Sequence, residues 1–337
     1  MSVDLIRIGV IGAGWFVSRR HLPDLQRCPG ARLAALCRRD PEPLARMAEH
    51  FGVSATYTDY RRMLDEEPLD AVIIATPHSL HFEHAGAALE RGLHVLLEKP
   101  MAVRAEDART LTRLAAEKGK QLVVALNPPY WGHCQLLREW VAGGRLGSLE
   151  SVDIHWFGSA PHVFGRAPLP ANLPGVVPPT LFRGDPGLGG GGFLMDTGSH
   201  LISEILWATG LRVTRVRAAM DDPDTDMCAA LLMETESGVP CTLTLRGDSA
   251  HPQRRLHNVY YGSKATAYAE GMPFRLTLRD AGEPEEVVAE AQMPAVPTPA
   301  ADFLAAVRGE SAPRGTAEHG AAVVAILEAA YRSARSG

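Results

Sequence analysis

The sequence predicts an α/β protein: first a doubly wound parallel sheet, then a second α/β unit with mainly antiparallel strands. Three observations predict this. Short apolar runs alternate with helical periodicity from Ile6 to about Leu126, the pattern of parallel strands joined by crossover helices. After Asn127-Pro-Pro-Tyr130 the strand-like runs lengthen, and Ser237-Gly238 and Gly262-Ser263 supply hairpin connections. A length of 337 residues accommodates two units, divided here into 1–126 and 127–337.

Composition excludes several classes. With 46% hydrophobic and 22% charged residues the chain reads as ordered and globular rather than disordered. A net charge of −5 with scattered arginines argues against a nucleic-acid partner, which calls for a basic face. No run of about 18 apolar residues suggests a membrane span. Met1-Ser-Val-Asp-Leu-Ile-Arg-Ile enters a strand without a basic region or long apolar core, which points to a cytoplasmic protein. Cys28, Cys37, Cys134, Cys228 and Cys241 show no C-x-x-C or metal-like spacing, so reduced thiols and no metal are expected.

In chain order, Ile6 to Ile11 is the first strand, and Gly12-Ala-Gly14-Trp15-Phe16-Val17 leads into a helix through Leu22 and Leu25. This is the context in which a glycine turn suggests dinucleotide binding: Gly12 for the tight turn, Gly14 for close approach of a pyrophosphate, with Trp15 and Phe16 opening the helix beside it. Val17 stands at the third small position and should push the helix slightly off the sheet, unless Ser18 supplies the small contact. The second strand, Leu33 to Cys37, is followed by Arg38-Arg39-Asp40-Pro41 and a helix through Met47 to Phe51. An acidic residue at this point would hold the ribose hydroxyls of NAD, whereas arginine pairs with the 2′-phosphate of NADP. Arg38 and Arg39 therefore favour NADP, with NAD as the alternative because Asp40 is two residues on.

A short helix from Asp59 to Leu64 and a buried strand from Ala71 to Thr76 come next. Thr76-Pro77-His78 ends that strand beside the cofactor, and a helix from His81 to Arg91 stops at Gly92. His81 is read as a helix-start residue near the cofactor, His78 and His84 as surface histidines. The strand ending at Leu97 runs into Glu98-Lys99-Pro100, which places an ammonium group at the carboxyl edge of the sheet, where open α/β sheets bind ligands. A helix from Arg104 to Lys118 and a strand from Gln121 to Leu126 complete the first unit.

The second unit opens with a helix through Leu136 and Trp140 to Gly143-Gly144, then a strand from Leu149 to Phe157. Prolines from Pro161 to Pro186 exclude helix and central strand, and a loop this long reads as a lid or contact arm, with Arg166 and Arg183 as candidate anion or polyol contacts or, equally, interface salt bridges. Glycines up to Gly192 suggest backbone brought close to a ligand or another chain. A helix from Phe193 to Leu206 carries Asp196-Thr-Gly-Ser-His200, a carboxylate and an imidazole on one helical face. Strands follow at Val213 to Met220, Cys228 to Thr235, Val239 to Arg246, His257 to Gly262 and Arg275 to Leu278, then helices at Asp302 to Arg308 and Thr316 to Ala334.

Gly9-Val-Ile-Gly12-Ala-Gly14, Ala75-Thr-Pro77 with His81, Gly92-Leu-His-Val-Leu-Leu-Glu98-Lys99-Pro100 and Gly190-Gly-Gly-Phe-Leu-Met-Asp196-Thr-Gly-Ser-His200 occur in this order. The chain resembles the glucose-fructose oxidoreductase, inositol dehydrogenase and rhizopine-catabolism (Gfo/Idh/MocA) family over nearly its whole length. The resemblance implies an N-terminal Rossmann domain with Glu98 and Lys99 beside the cofactor. It also implies a C-terminal domain whose open, largely antiparallel sheet makes a homodimer or homotetramer interface. Its chemistry is hydride transfer between a nicotinamide and a hydroxyl or ketone carbon of a sugar or cyclitol. Lys99, Asp196 and His200 match the family's catalytic and substrate-binding positions, with Arg183 as a further substrate contact. His200 is expected to exchange the proton, Asp196 to orient it, and Lys99 to hold the reacting oxygen and serve as an alternative acid or base. The chain departs from the pattern where Ser203 and Glu204 follow the histidine and where Pro129 and Tyr130 open the second domain. Two alternatives accompany this reading: a glycosidase of the same family using tightly held NAD, and a non-catalytic cofactor-sensing regulator.

Overall fold

The computed structural model describes residues 5–251, 253–280 and 282–336, so the reading of Met1 to Asp4 lies outside the described residues. Six strands form the first sheet: β1 Ile6–Ile11, β2 Ala31–Cys37, β3 Ala55–Tyr57, β4 Ala71–Ile74, β5 His94–Leu97 and β6 Leu122–Val124. All pair in parallel in the order β3-β2-β1-β4-β5-β6, the doubly wound Rossmann arrangement. Every residue of β4 and β6 is buried, as expected for strands covered on both faces. The order reverses between β1 and β4. Gly12, Ala75 and the residues after Leu97 stand at the carboxyl ends of β1, β4 and β5, where open sheets of this kind bind ligands.

Eight strands form the second sheet: β7 Leu149–Phe157, β8 Val213–Met220, β9 Cys228–Thr235, β10 Cys241–Arg246, β11 Arg255–Gly262, β12 Ala265–Glu270, β13 Arg275–Asp280 and β14 Glu286–Ala289. Their order is β14-β13-β12-β11-β7-β10-β9-β8, antiparallel except where β10 runs parallel to β7. Burial alternates along β9 and β12 because one face is covered and the other open. The helix Ser199–Thr209 is pinned to the covered face by Glu204, whose Oε1 accepts from Asn258 Nδ2 and Tyr260 Oη at 2.7 Å each. Burial pushes the Glu204 carboxyl up. Glu204 thus serves the sheet, while Ser203 Oγ meets His319 Nε2 at 2.7 Å. Tyr130 donates to Asp302 Oδ2 at 2.9 Å, tying the start of the second unit to the C-terminal helices. The last helix, Ala317–Ser336, packs on both the helix Ala105–Lys118 and β8.

Several elements differ from the sequence reading. The first helix is two, Trp15–Arg19 and His21–Gln26, because Pro23 has no N–H to give the Arg19 carbonyl and its ring crowds that carbonyl. Val17 is fully buried in the core with Val10 and Leu22. The runs read as Ala71 to Thr76 and Gln121 to Leu126 pair only over β4 and β6. Strands β3, β12 and β14 went unread: two are short edge strands, and β12, Ala265-Thr-Ala-Tyr-Ala-Glu270, alternates small rather than bulky residues. The helix expected from Phe193 begins with a π-turn, Leu194–Gly198.

The proline-rich segment reaches back across its own chain. Pro174 O accepts from Trp15 Nε1 at 2.7 Å, Val176 N donates to Ser18 Oγ at 3.0 Å, and Val177 is buried in the core of the first sheet. It therefore acts as a strap over the helix that follows the glycine turn.

Candidate active site

Three loops at the carboxyl edge of the first sheet meet the π-turn of the second unit. Gly12 has φ +89°, and a Cβ there would lie 2.7 Å from the Ala75 carbonyl carbon and oxygen, so only glycine fits between the two strand ends. No side chain caps the helix at Gly14. Arg38 folds over this turn, its Nη1 donating to Ala13 O at 3.2 Å, while its buried Nε has no partner. Arg39 is exposed. Asp40 caps the helix Pro41–Phe51, its Oδ1 accepting from Glu42 N at 3.3 Å. A turn that admits no Cβ beside a half-buried guanidinium with an unused N–H suits the diphosphate and ribose end of a dinucleotide. Gly12, Gly14, Arg38 and Arg39 are the residues that would hold it.

Other expected cofactor contacts turn out to be occupied. His81 is fully buried, with Nδ1 2.7 Å from Pro100 O and Nε2 2.9 Å from Thr76 O, so it ties two loops together rather than facing a ligand. Glu98 is buried with Oε1 2.6 Å from His21 Nε2, and its Oε2 accepts from Lys99 N at 3.2 Å. Burial raises the Glu98 carboxyl, but the His21 contact and the charges around it bring it below its usual range. Phe16 packs edge-on against His21 and Trp15. Thr76 Oγ1 lies 3.0 Å from His84 Nδ1, and Pro77 precedes the turn His78–Leu80.

His78 and His84 are buried rather than superficial, correcting the sequence reading. The segment Phe182–Gly189, a hundred residues on, folds over His78: Nδ1 donates to Gly189 O at 2.9 Å and Phe182 packs edge-on against the ring. Burial drives the His78 imidazole well below its usual pKa.

The polar contacts between the two units converge on Asp196. Its Oδ1 accepts from Lys99 Nζ at 2.7 Å and from Arg183 Nε at 2.9 Å, and its backbone oxygen accepts from Lys99 Nζ at 2.8 Å. Burial opposes ionisation of Asp196, but the charges of Arg183 and Lys99 outweigh it and hold the carboxyl well below the usual range. Arg183, read as a substrate contact, is thereby a partner of Asp196. His200 is not oriented by Asp196. Asn127 N donates to its Nδ1 at 3.2 Å, which places the proton of the neutral ring on Nε2, and the Asn127 side-chain amide lies 3.4 Å from Nε2. Burial and the charge of Lys99 lower the His200 pKa well below its usual value. Trp131 packs beside His200 with centroids 6.2 Å apart. Asn127 was missed as a site residue because its shorter contact with His200 is made by backbone, which leaves no residue-type signal.

Arg166 reaches no part of this set and donates to Thr225 Oγ1 at 3.0 Å. Away from the site, His133, Cys134 and Glu204 come together in the core, where Cys134 Sγ lies 3.2 Å from His133 Nε2 and Phe274 stacks on the imidazole.

No helix among the described residues is long and apolar enough to cross a membrane. The family model for the oxidoreductase family with an NAD-binding Rossmann fold matches residues 6–126, and the Gfo/Idh/MocA C-terminal domain matches 134–268. The chain is 33% identical over 165 residues to a dTDP-3,4-didehydro-2,6-dideoxy-alpha-D-glucose 3-reductase of Saccharopolyspora spinosa, covering 49% of this chain and 47% of that protein. It is 27% identical over 210 residues to the scyllo-inositol 2-dehydrogenase (NADP(+)) of Bacillus subtilis, covering 62% and 53%. The match thus spans about half the length of these curated relatives. An oxidoreductase domain protein from Kribbella flavida shares the fold with TM-score 0.86 at 24% identity, covering 99% of this chain and 98% of that one. With both of its domains matched in order, the chain belongs to the Gfo/Idh/MocA oxidoreductase family.

Proposed function

We propose that the protein is an NADP(H)-preferring oxidoreductase acting on the hydroxyl or ketone carbon of a sugar, cyclitol or related polyol. The observation that carries this reading is the Lys99 ammonium, held 2.7 Å from Asp196 at the edge of the nucleotide-binding sheet, with His200 on the following helical turn. Bound nicotinamide supplies or accepts the hydride. In reduction, Lys99 donates the proton to the substrate oxygen while Asp196, itself held by Arg183, keeps its nitrogen in place; in oxidation the proton returns to Lys99. His200, neutral and with its proton on Nε2, donates a hydrogen bond to the same oxygen as negative charge develops. The Nδ1 contact with Asn127 leaves His200 without a free site for the substrate proton, which supports Lys99, the alternative acid or base of the sequence reading, in that role.

The test is a panel of ketoses and inososes with NADPH carrying deuterium at C4. Deuterium appearing at a carbinol carbon of the product supports the reading; no deuterium incorporation from any member of the panel contradicts it.

The NADP preference rests on Arg38 and on Asp40 being engaged as a helix cap. Arg38→Asp is expected to weaken NADPH binding roughly 10- to 100-fold, the value of a hydrogen bond to a charged group, while leaving NADH binding equal or stronger. An unchanged ratio of NADPH to NADH affinity would remove Arg38 from the phosphate site. The open face of the second sheet, where Ala230, Leu232 and Glu234 of β9 are exposed, is the proposed contact between subunits.

A further inference from the structure

The glycines before Asp196 were read as room for a ligand or a second chain, but within this chain they are filled by two remote side chains. A Cβ at Gly191 would lie 2.5 Å from Tyr331 Oη, and one at Gly192 would lie 2.1 Å from Asp226 O. Asp226 sits in the connection from β8 to β9 and Tyr331 on the last helix, and both are buried. Between them they take the N–H groups that open the π-turn. Asp226 Oδ1 accepts from Gly192 N at 3.0 Å and Oδ2 from Leu194 N at 2.7 Å, while Asp226 O accepts from Phe193 N at 2.6 Å. Tyr331 Oη accepts from Gly192 N at 3.1 Å and Met195 N at 3.0 Å, and donates to Asp226 Oδ1 at 2.6 Å.

We propose that Asp226 and Tyr331 are a positioning pair that sets the π-turn so that Asp196 presents both its carboxylate and its backbone oxygen to Lys99. The inference rests on the reading of Lys99 and Asp196 given above. An ordinary N-cap side chain satisfies one of the free N–H groups at a helix start. Here two buried residues from separate elements satisfy four consecutive ones. The residue placed immediately after them is Asp196, and its two contacts with Lys99, at 2.7 and 2.8 Å, register the side chain and the backbone together. A shift of the turn that keeps one contact lengthens the other, so the pair controls the geometry of Lys99 without touching it. Burial raises the Asp226 carboxyl, and the bonds from Tyr331, Leu194 and Gly192 draw it back.

The test needs neither substrate nor cofactor. The rate at which acetic anhydride acetylates Lys99 in the whole protein is measured by mass spectrometry against pH, with Lys118, Lys120 and Lys264 as internal references. Wild type, Tyr331→Phe, Asp196→Asn and the double variant are compared. Tyr331→Phe is expected to raise the Lys99 rate roughly tenfold, the value of a hydrogen bond to a charged group, with the references unchanged. In the Asp196→Asn background Tyr331→Phe should add nothing, since both act on one contact. Equal effects in the two backgrounds, a rise in all four lysines, or no rise at Lys99 would overturn the proposal. No response of Lys99 to Asp196→Asn alone would instead overturn the ion-pair reading on which it rests. Asp226→Asn, read the same way, serves if Tyr331→Phe does not fold.

Discussion

Replacing Lys99 by alanine is expected to lower kcat by a factor on the order of 10² to 10⁴, the usual contribution of a positioned acid or base. The fold should tolerate the change, because Asp196 keeps Arg183 at 2.9 Å and is not left as a lone buried carboxylate. Glu98 keeps His21, so the loop after β5 retains its anchor. Cofactor affinity should change little, as Lys99 reaches Asp196 and not the glycine turn. Steady-state kinetics together with a cofactor titration separate these outcomes. Turnover within a few-fold of wild type would place the proton with His200, as the sequence alone suggested.

Asp196→Asn is expected to behave differently, because it leaves two cations facing each other. Breaking a buried pair by removing one partner costs on the order of 3 kcal/mol, since the remaining charge is uncompensated. The pH dependence follows from the depressed carboxyl. Its folded pKa lies well below the ordinary value of 3.8, so its stabilisation is present above that value and is lost as pH falls through the folded one. The Tm gap between wild type and Asp196→Asn should therefore be widest near neutrality and close in strong acid. A gap independent of pH would mean that the variant loses packing rather than an ion pair.

What the sequence disclosed was local. Gly12, Gly14 and Lys99 are legible because each sits where a strand ends, and strand ends are marked by apolar runs and glycine or proline. Asp196 and His200 were placed on one element, but the π-turn and the remote groups that orient each residue were not foreseeable from a four-residue spacing. For Arg183 a substrate contact and a salt bridge stayed open, because nothing local reveals that its guanidinium meets Asp196. His78 looked exposed because its cover comes from Phe182 to Gly189, and such long-range burial leaves no mark on neighbouring residues. The strap was recognised as an arm, yet its seat on Trp15 and Ser18 depends on Val177 finding the first core. The dense glycines signalled close approach correctly, but what approaches is Asp226 and Tyr331.

The most direct test of the account is an equilibrium titration of the purified protein with NADPH and NADH, followed by quenching of tryptophan fluorescence, after checking for cofactor already bound. Saturable, reversible binding of both is expected, tighter for NADPH. Absence of saturable binding by either would contradict the assignment of the Gly12 turn and Arg38 as a dinucleotide site, and with it the proposed chemistry at Lys99.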